Sequence, residues 1–187
     1  MARHCGNCTL CCKLVPVKEL QKAAGQRCRY QKALKGCTIY QRRPLTCQLW
    51  NCAWLVGDGT AGLRRPDFSH YVVDIAPDYV TAVPDDGPKM TIPVVQVWCD
   101  PKFPDAHRDP ALRSYLQRRC EQDGFAAIIR YDAGRGFVLF PPGMTGGDWV
   151  ESERTSVGGP EHSQADIAKA LGGNWVEMIP PQPGEVT

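Results

Sequence analysis

Eight of the ten cysteines, Cys5, Cys8, Cys11, Cys12, Cys28, Cys37, Cys47 and Cys52, fall within 48 residues, while Cys99 and Cys120 stand apart. Thiolates are soft donors that hold zinc and iron–sulfur centres. The first four form C-x-x-C-x-x-C-C. Two-residue spacers let the chain turn tightly enough for successive sulfurs to face one ion or cluster, and Gly6 allows the torsions that such a crowded turn needs. A fourth ligand can come from farther along, because closing a longer loop adds entropic cost only slowly. Eight sulfurs exceed one tetrahedral site.

An even number of cysteines also suits a disulfide framework. Two features favour metal instead: no secretory signal precedes the cluster, and the adjacent pair Cys11-Cys12 is awkward in a disulfide ladder. Both zinc and iron remain open. Cys₄ zinc fits the donor type, and C-x₂-C-x₂-C plus a remote cysteine is also how bacterial ferredoxins hold a [4Fe–4S] cluster, although here Cys12 is followed by Lys13 and not by proline. Either centre leaves a charge of about −2 on four thiolates, which nearby basic groups stabilise. If Cys47 and Cys52 lie on one regular helix, their side chains point about 140° apart. That makes Cys52 the weakest donor unless the helix breaks.

The opening C-x-x-C-x-x-C-C, the isolated Cys28 and Cys37-Thr-Ile-Tyr-Gln-Arg-Arg-Pro-Leu-Thr-Cys47, read as C-x-I-Y-x-x-R-P-x-x-C, resemble the YkgJ family of zinc- or iron-chelating cysteine-cluster proteins. The likeness covers about the first quarter to third of the chain. It implies metal ligation by Cys5, Cys8, Cys11, Cys12, Cys28, Cys37 and Cys47. Some relatives fused to methyltransferase-like regions look like iron–sulfur proteins, but no methyl-donor motif is present here. Within the second block, Pro44 biases Arg43 to an extended conformation that suits a bend leading to Cys47. Arg43 is placed to donate to thiolates or to pair with a carboxylate, and Ile39 and Tyr40 to wall the cluster from solvent; the alternative is a structural or solvent-facing Arg43 and a core Tyr40.

The elements that must position these sulfurs are short. Pro16 to Ala24 reads as a helix stopped by Gly25, and Pro44 to Val56 as a second helix closed by Gly57. From Arg64 the texture turns strand-like: His70 to Ala76, Tyr79 to Val83 and Thr91 to Trp98, with a turn at 84–88. Asp109-Pro110 opens a helix that Gly124 ends. Phe125 to Tyr131 and Phe137 to Phe140 form a hairpin whose Gly-rich tip suits positive φ. A weak helix near Gln164 to Leu171, an apolar run at 175–179 and a mobile tail from Pro180 follow. The expected fold is α+β: a metal-bound cysteine cluster over residues 1–65, a small antiparallel sheet with a packed helix over 66–179, and a tail over 180–187.

The formal charge of +2 hides two halves, with 12 Lys and Arg against 2 acids in residues 1–65 (+10) and −8 in the rest. No apolar run reaches the roughly 18 residues of a membrane helix, and the N-terminus lacks the apolar core of a secretory signal, so a cytoplasmic protein without membrane contact is expected. The basic half, with Arg27, Arg29, Lys32, Lys35, Arg42 and Arg43 around Tyr30 and Tyr40, allows a zinc-stabilised nucleic-acid module. The acidic remainder argues against it. Gly57-Asp58-Gly59-Thr60-Ala61-Gly62 matches G-x-G-x-x-G but follows a helical pattern, so it reads as a connector. His107-Arg108-Asp109 reads as a loop entering the capped helix, and Cys99 and Cys120 as small buried hydrophobes. Function is therefore metal chelation for structure or binding. The enzymatic alternative is an iron–sulfur redox or modification component with reactive surplus thiols.

Overall fold

A strand that is apolar on both faces must be covered on both faces, and the central strands here meet that condition. The computed structural model describes residues 3–152 apart from 34, 58, 83–87 and 89. The chain divides into one unit, Met1–Val157, and a second, Gly158–Thr187, which lies outside the described residues. The expected helix at 164–171, the apolar run at 175–179 and the tail fall there.

The cysteine-rich segment contains α1 (Leu10–Leu14), a 3₁₀ turn at Lys18–Leu20, and a two-residue hairpin of β1 (Gln31–Lys32) and β2 (Gly36–Cys37). A second 3₁₀ turn (Tyr40–Arg42), α2 (Leu45–Leu49), α3 (Ala53–Val56) and α4 (Pro66–Ser69) follow. The sheet order is β3-β4-β5-β6-β7, with β3 at Tyr71–Ala82, β4 at Met90–Cys99, β5 at Ala126–Arg130, β6 at Gly136–Phe140 and β7 at Val150–Ser152. Between β4 and β5 lies α5 (Pro110–Asp123), and α6 (Pro142–Thr145) precedes β7.

The α+β class and the mainly antiparallel sheet agree with the sequence. One pair differs: β5 runs parallel to β4, with Val94 opposite Ala126 and Trp98 opposite Arg130. The cause is α5, which carries the chain back along the sheet so that β5 enters in the direction of β4. The two strand segments expected between His70 and Val83 are one strand, β3, with a register shift between Asp74 and Asp78. Residues 84–87 of the expected turn lie outside the described residues.

Alternation along β3 and β4 separates two cores. Tyr71, Val73, Val97 and Cys99 pack with Leu112, Tyr115 and Leu116 of α5. Val72 and Trp98, which face each other in register, pack on the opposite side with Leu10, Leu14 and Cys52. The cysteine-rich segment thus lies on one face of the sheet and α5 on the other. The start of α5 is built as its local sequence dictates, with Asp109 accepting from the Ala111 N–H at 2.8 Å and Gly124 in the left-handed region at its end.

Two expected helices are corrected. Pro16 to Ala24 forms only the 3₁₀ turn, because Gln21 turns left-handed (φ 50°) and Val17 pairs back with Lys22. That turn sends the buried Lys22 ammonium to the carbonyls of Lys13 and Val15, groups that the end of α1 leaves without helical partners. The Pro44–Val56 helix breaks into α2 and α3, with Trp50 and Cys52 extended (ψ 129° and 155°). The tip of the β5–β6 hairpin also differs. It does not place Gly134 or Gly136 at positive φ, because the Asp132 carboxylate accepts from the Gly134 and Arg135 N–H groups and closes the turn itself. Among the described residues no helix is long and apolar enough to cross a membrane.

Candidate metal centre

The turn from Cys5 to Cys8 is closed by the Cys8 N–H donating to the Cys5 carbonyl at 2.8 Å. Gly6 has φ +53°, as the crowded turn was expected to require. Gly36 (φ +79°) approaches it so closely that an added Cβ would lie 3.1 Å from the Gly6 carbonyl oxygen. This contact seats the β1–β2 hairpin against the first cysteines. The Cys28 N–H donates to the Cys12 carbonyl at 2.8 Å, and Gln31, which follows Cys28, pairs with Cys37 in the hairpin. Glu19 Oε1 accepts from the backbone N–H and hydroxyl of Thr46 (3.0 and 2.6 Å), supplying α2 with the N-terminal cap that Pro44 cannot provide.

Together these contacts bring Cys5, Cys8, Cys11, Cys12, Cys28, Cys37, Cys47 and Cys52 to the wall of one cavity of about 120 Å³. Its other lining groups include Tyr40, Arg43, Lys22, Trp50 and Trp54, and among the described residues no carboxylate or histidine. The exposed His4 is not among them. Cys52, the donor that helical geometry ranked lowest, reaches the cavity because the helix breaks. There it is buried, and its backbone bridges to Asp74 of β3. Cys99 and Cys120 are buried in the sheet and α5 and lie apart from the cavity.

All ten cysteines carry free thiols. The eight sulfurs share the cavity without converging on a point: among the described residues no three Cys, His, Asp or Glu side chains form a ready-made metal-holding group. The donor chemistry nevertheless fits a thiophilic metal, since eight soft sulfurs face two cations and, among the described residues, no carboxylate lines the cavity.

The local fields differ from one thiol to the next. Burial pushes Cys47 and Cys52 up to about 11. Burial also raises Cys8, against the backbone N–H groups of Leu10 and Asp67, and raises Cys5, against Arg43. Cys11 donates its S–H to Cys12. This raises Cys11 and, aided by Lys22 and Arg43, pulls Cys12 down to about 7. The Arg43 guanidinium stacks 3.8 Å from the Tyr40 ring centre, and its buried Nε has no hydrogen-bond partner among the described residues.

Compared with protein-family models, curated proteins and solved structures, the chain gives no match. The assignment therefore rests on the chain's own geometry. Three groups that shape the site were not singled out from sequence. Lys22 falls inside the expected 16–24 helix and Asp74 inside an expected strand, and Arg65 carries no expected role. For Asp74 no local signal exists, because its role depends on Trp50, 24 residues earlier, whose indole N–H donates to Asp74 Oδ1 at 2.9 Å. The glycine motif at 57–62 closes α3 with Gly57, and the Gly59 carbonyl accepts from Arg118, so the helix-then-connector reading stands.

Proposed function

We propose that the chain is a metal-chelating cysteine-cluster protein binding zinc or iron, including iron–sulfur, with the metal organising the cysteine-rich segment. One observation carries this reading: all eight cysteines of the first 52 residues, each with a free thiol, line a single cavity with Lys22 and Arg43 and, among the described residues, no carboxylate. The likeness of the two cysteine blocks to the YkgJ family points the same way. Cys5, Cys8, Cys11, Cys12, Cys28, Cys37, Cys47 and Cys52 are the ligand pool. Zinc would supply a structural cross-link, and an iron–sulfur centre would supply electron transfer. The chain's own contribution is a largely apolar wall, cations to balance thiolate charge, and backbone N–H groups directed at Cys8 and Cys52.

A specific observation favours the iron–sulfur alternative. A buried donor, Arg43 Nε, has no protein acceptor among the described residues and sits on a cavity roomier than one ion needs, a setting suited to an anionic cluster. The nucleic-acid reading gains less, since the Tyr30 and Tyr40 rings already carry Arg29 and Arg43.

The test is elemental and sulfide analysis of anaerobically purified protein. Colourless protein with stoichiometric zinc marks a structural centre. Brown protein with iron and acid-labile sulfide marks the redox alternative. Protein with neither metal nor sulfide, its thiols joined to one another, overturns both.

A further inference from the structure

We propose that the cavity holds two adjoining Cys₄ centres, one on Cys5, Cys8, Cys11 and Cys52, the other on Cys12, Cys28, Cys37 and Cys47. This rests on the chelation reading above and adds to it the number of centres and their ligands.

The division follows from the backbone. Cys11 and Cys12 are consecutive on α1, so their side chains leave the helix about 100° apart. Cys11 belongs to the apolar cluster on Val72 and Trp98, together with Cys8 and Cys52. Cys12 is not part of that cluster. Its carbonyl instead accepts from Cys28, whose own carbonyl accepts from Gln31 (3.1 Å), the residue paired with Cys37. Two chains of contact therefore leave α1 in different directions, one toward the sheet and one toward the β1–β2 hairpin. The break between α2 and α3 completes the division, since Cys52 is held against Asp74 of β3 while Cys47 stays on α2.

Electrostatic neighbours fall into the same sets. Cys47 senses Cys12, Cys28 and Cys37; Cys52 senses Cys5 and Cys8; and Cys11 senses Cys8 and Cys52. The sets touch where Cys11 meets Cys12 and where Cys5 senses Cys12. Cations stand beside both sets. Arg65, paired with Asp67 at 2.6 Å, stands at the Cys5–Cys8 turn, where its Nη1 would lie 3.7 Å from a Cβ on Gly6 and its Nη2 donates to Asn7 at 2.9 Å. Lys22 senses Cys28, Cys12, Cys11 and Cys47, and Arg43 senses Cys5 and Cys12, so both lie near the seam where the two sets meet. Two Cys₄ centres carry about −2 each, and cations at their seam offset part of that charge.

The experiment is an anaerobic cadmium titration of the reduced full-length chain, followed by the thiolate-to-cadmium absorption. The expected result is saturation at two equivalents. Cys52→Ser and Cys47→Ser should each halve the tightly bound cadmium, and the double variant should bind none tightly. Saturation of the unmodified chain at one equivalent overturns the two-centre proposal and leaves chelation intact. Absence of binding overturns chelation itself. Because the unmodified chain decides the count, a variant that fails to fold does not blunt the test.

Discussion

Asp74→Ala removes the oxygen that holds the break between α2 and α3. Asp74 is buried, and its Oδ1 accepts from both the Trp50 indole N–H and the Ala76 backbone N–H, each at 2.9 Å. Each donor left without a partner costs about 1–3 kcal/mol, and part of that is offset because a buried carboxylate no longer has to be desolvated. The net expectation is a loss of about 2 kcal/mol, or roughly 4–8 °C in Tm for a chain of this size. Asp74→Asn retains an Oδ1 for both donors and drops the charge, so it should match or exceed the native chain at neutral pH. Burial raises the Asp74 carboxyl above its unfolded value of about 3.9. Its stabilising contribution is therefore complete below that value and declines as pH rises through the folded one. The Asn variant lacks this decline, so its advantage should grow from acid to neutral pH. Thermal unfolding across that range gives the stabilities, and iodoacetamide labelling with peptide mapping reports Cys52, now buried and expected to label faster in Asp74→Ala. An Asn variant as unstable as the Ala variant, or Cys52 equally protected in both, would refute the reasoning.

Lys13 of α1 lies 2.5 Å from both Asp100 oxygens at the end of β4. Burial alone would raise the Asp100 carboxyl, but Lys13 and the Lys102 N–H outweigh it and hold the carboxyl low. The pair's contribution is thus present above about pH 3.9 and fades as pH falls through the lower folded value. Lys13→Ala should cost about 2 kcal/mol by denaturant unfolding at neutral pH, and that penalty should vanish in acid; a penalty independent of pH would contradict the assignment. Cys99→Ala and Cys120→Ala should leave metal content unchanged by elemental analysis, since both sulfurs sit in the sheet–α5 region; loss of half the metal from either would redraw the ligand sets.

The start and end of α5 were legible because capping is local: Asp109, Pro110 and Gly124 act within one turn of where they stand. The two failed helices lacked that advantage. Helical spacing in residues 44–56 is genuine, yet Asp74 captures Trp50 and pairs with the Cys52 backbone, and contacts across 24 residues leave no trace in periodicity. The 16–24 segment satisfied its start and stop signals but yielded to the exposed carbonyls ending α1, which Lys22 reaches only if the chain turns back. The seven donors taken from the two cysteine blocks and the isolated Cys28 between them line the cavity. Cys52 was undervalued for the same reason that the helix was overextended. The direction of β5 was not readable either, since strand patterning records which face is apolar and not which neighbour is parallel.

Where a metal matters most can be argued from burial. Among the described residues between Val17 and Cys52, no apolar side chain is fully buried. Ordering each residue costs about 1–2 kcal/mol of backbone entropy, and this stretch has little apolar burial to offset it. On either side the situation changes: Leu10 and Leu14 sit on Val72 and Trp98, Lys13 is paired with Asp100, and Ala53 and Leu63 join the other core. The sheet can therefore keep α1 and α3 in place without an ion, whereas under the proposed chelation the segment carrying Cys28, Cys37 and Cys47 would depend on one. Unfolding on removal of the metal is therefore expected in the middle of the first 65 residues and not throughout them. Hydrogen exchange after anaerobic treatment with a chelator should show protection lost around residues 25–48 and largely kept in α1 and β3. Equal loss across both would mean that the apolar floor does not hold the helix on its own, and unchanged protection in the hairpin would mean that no ion organises it.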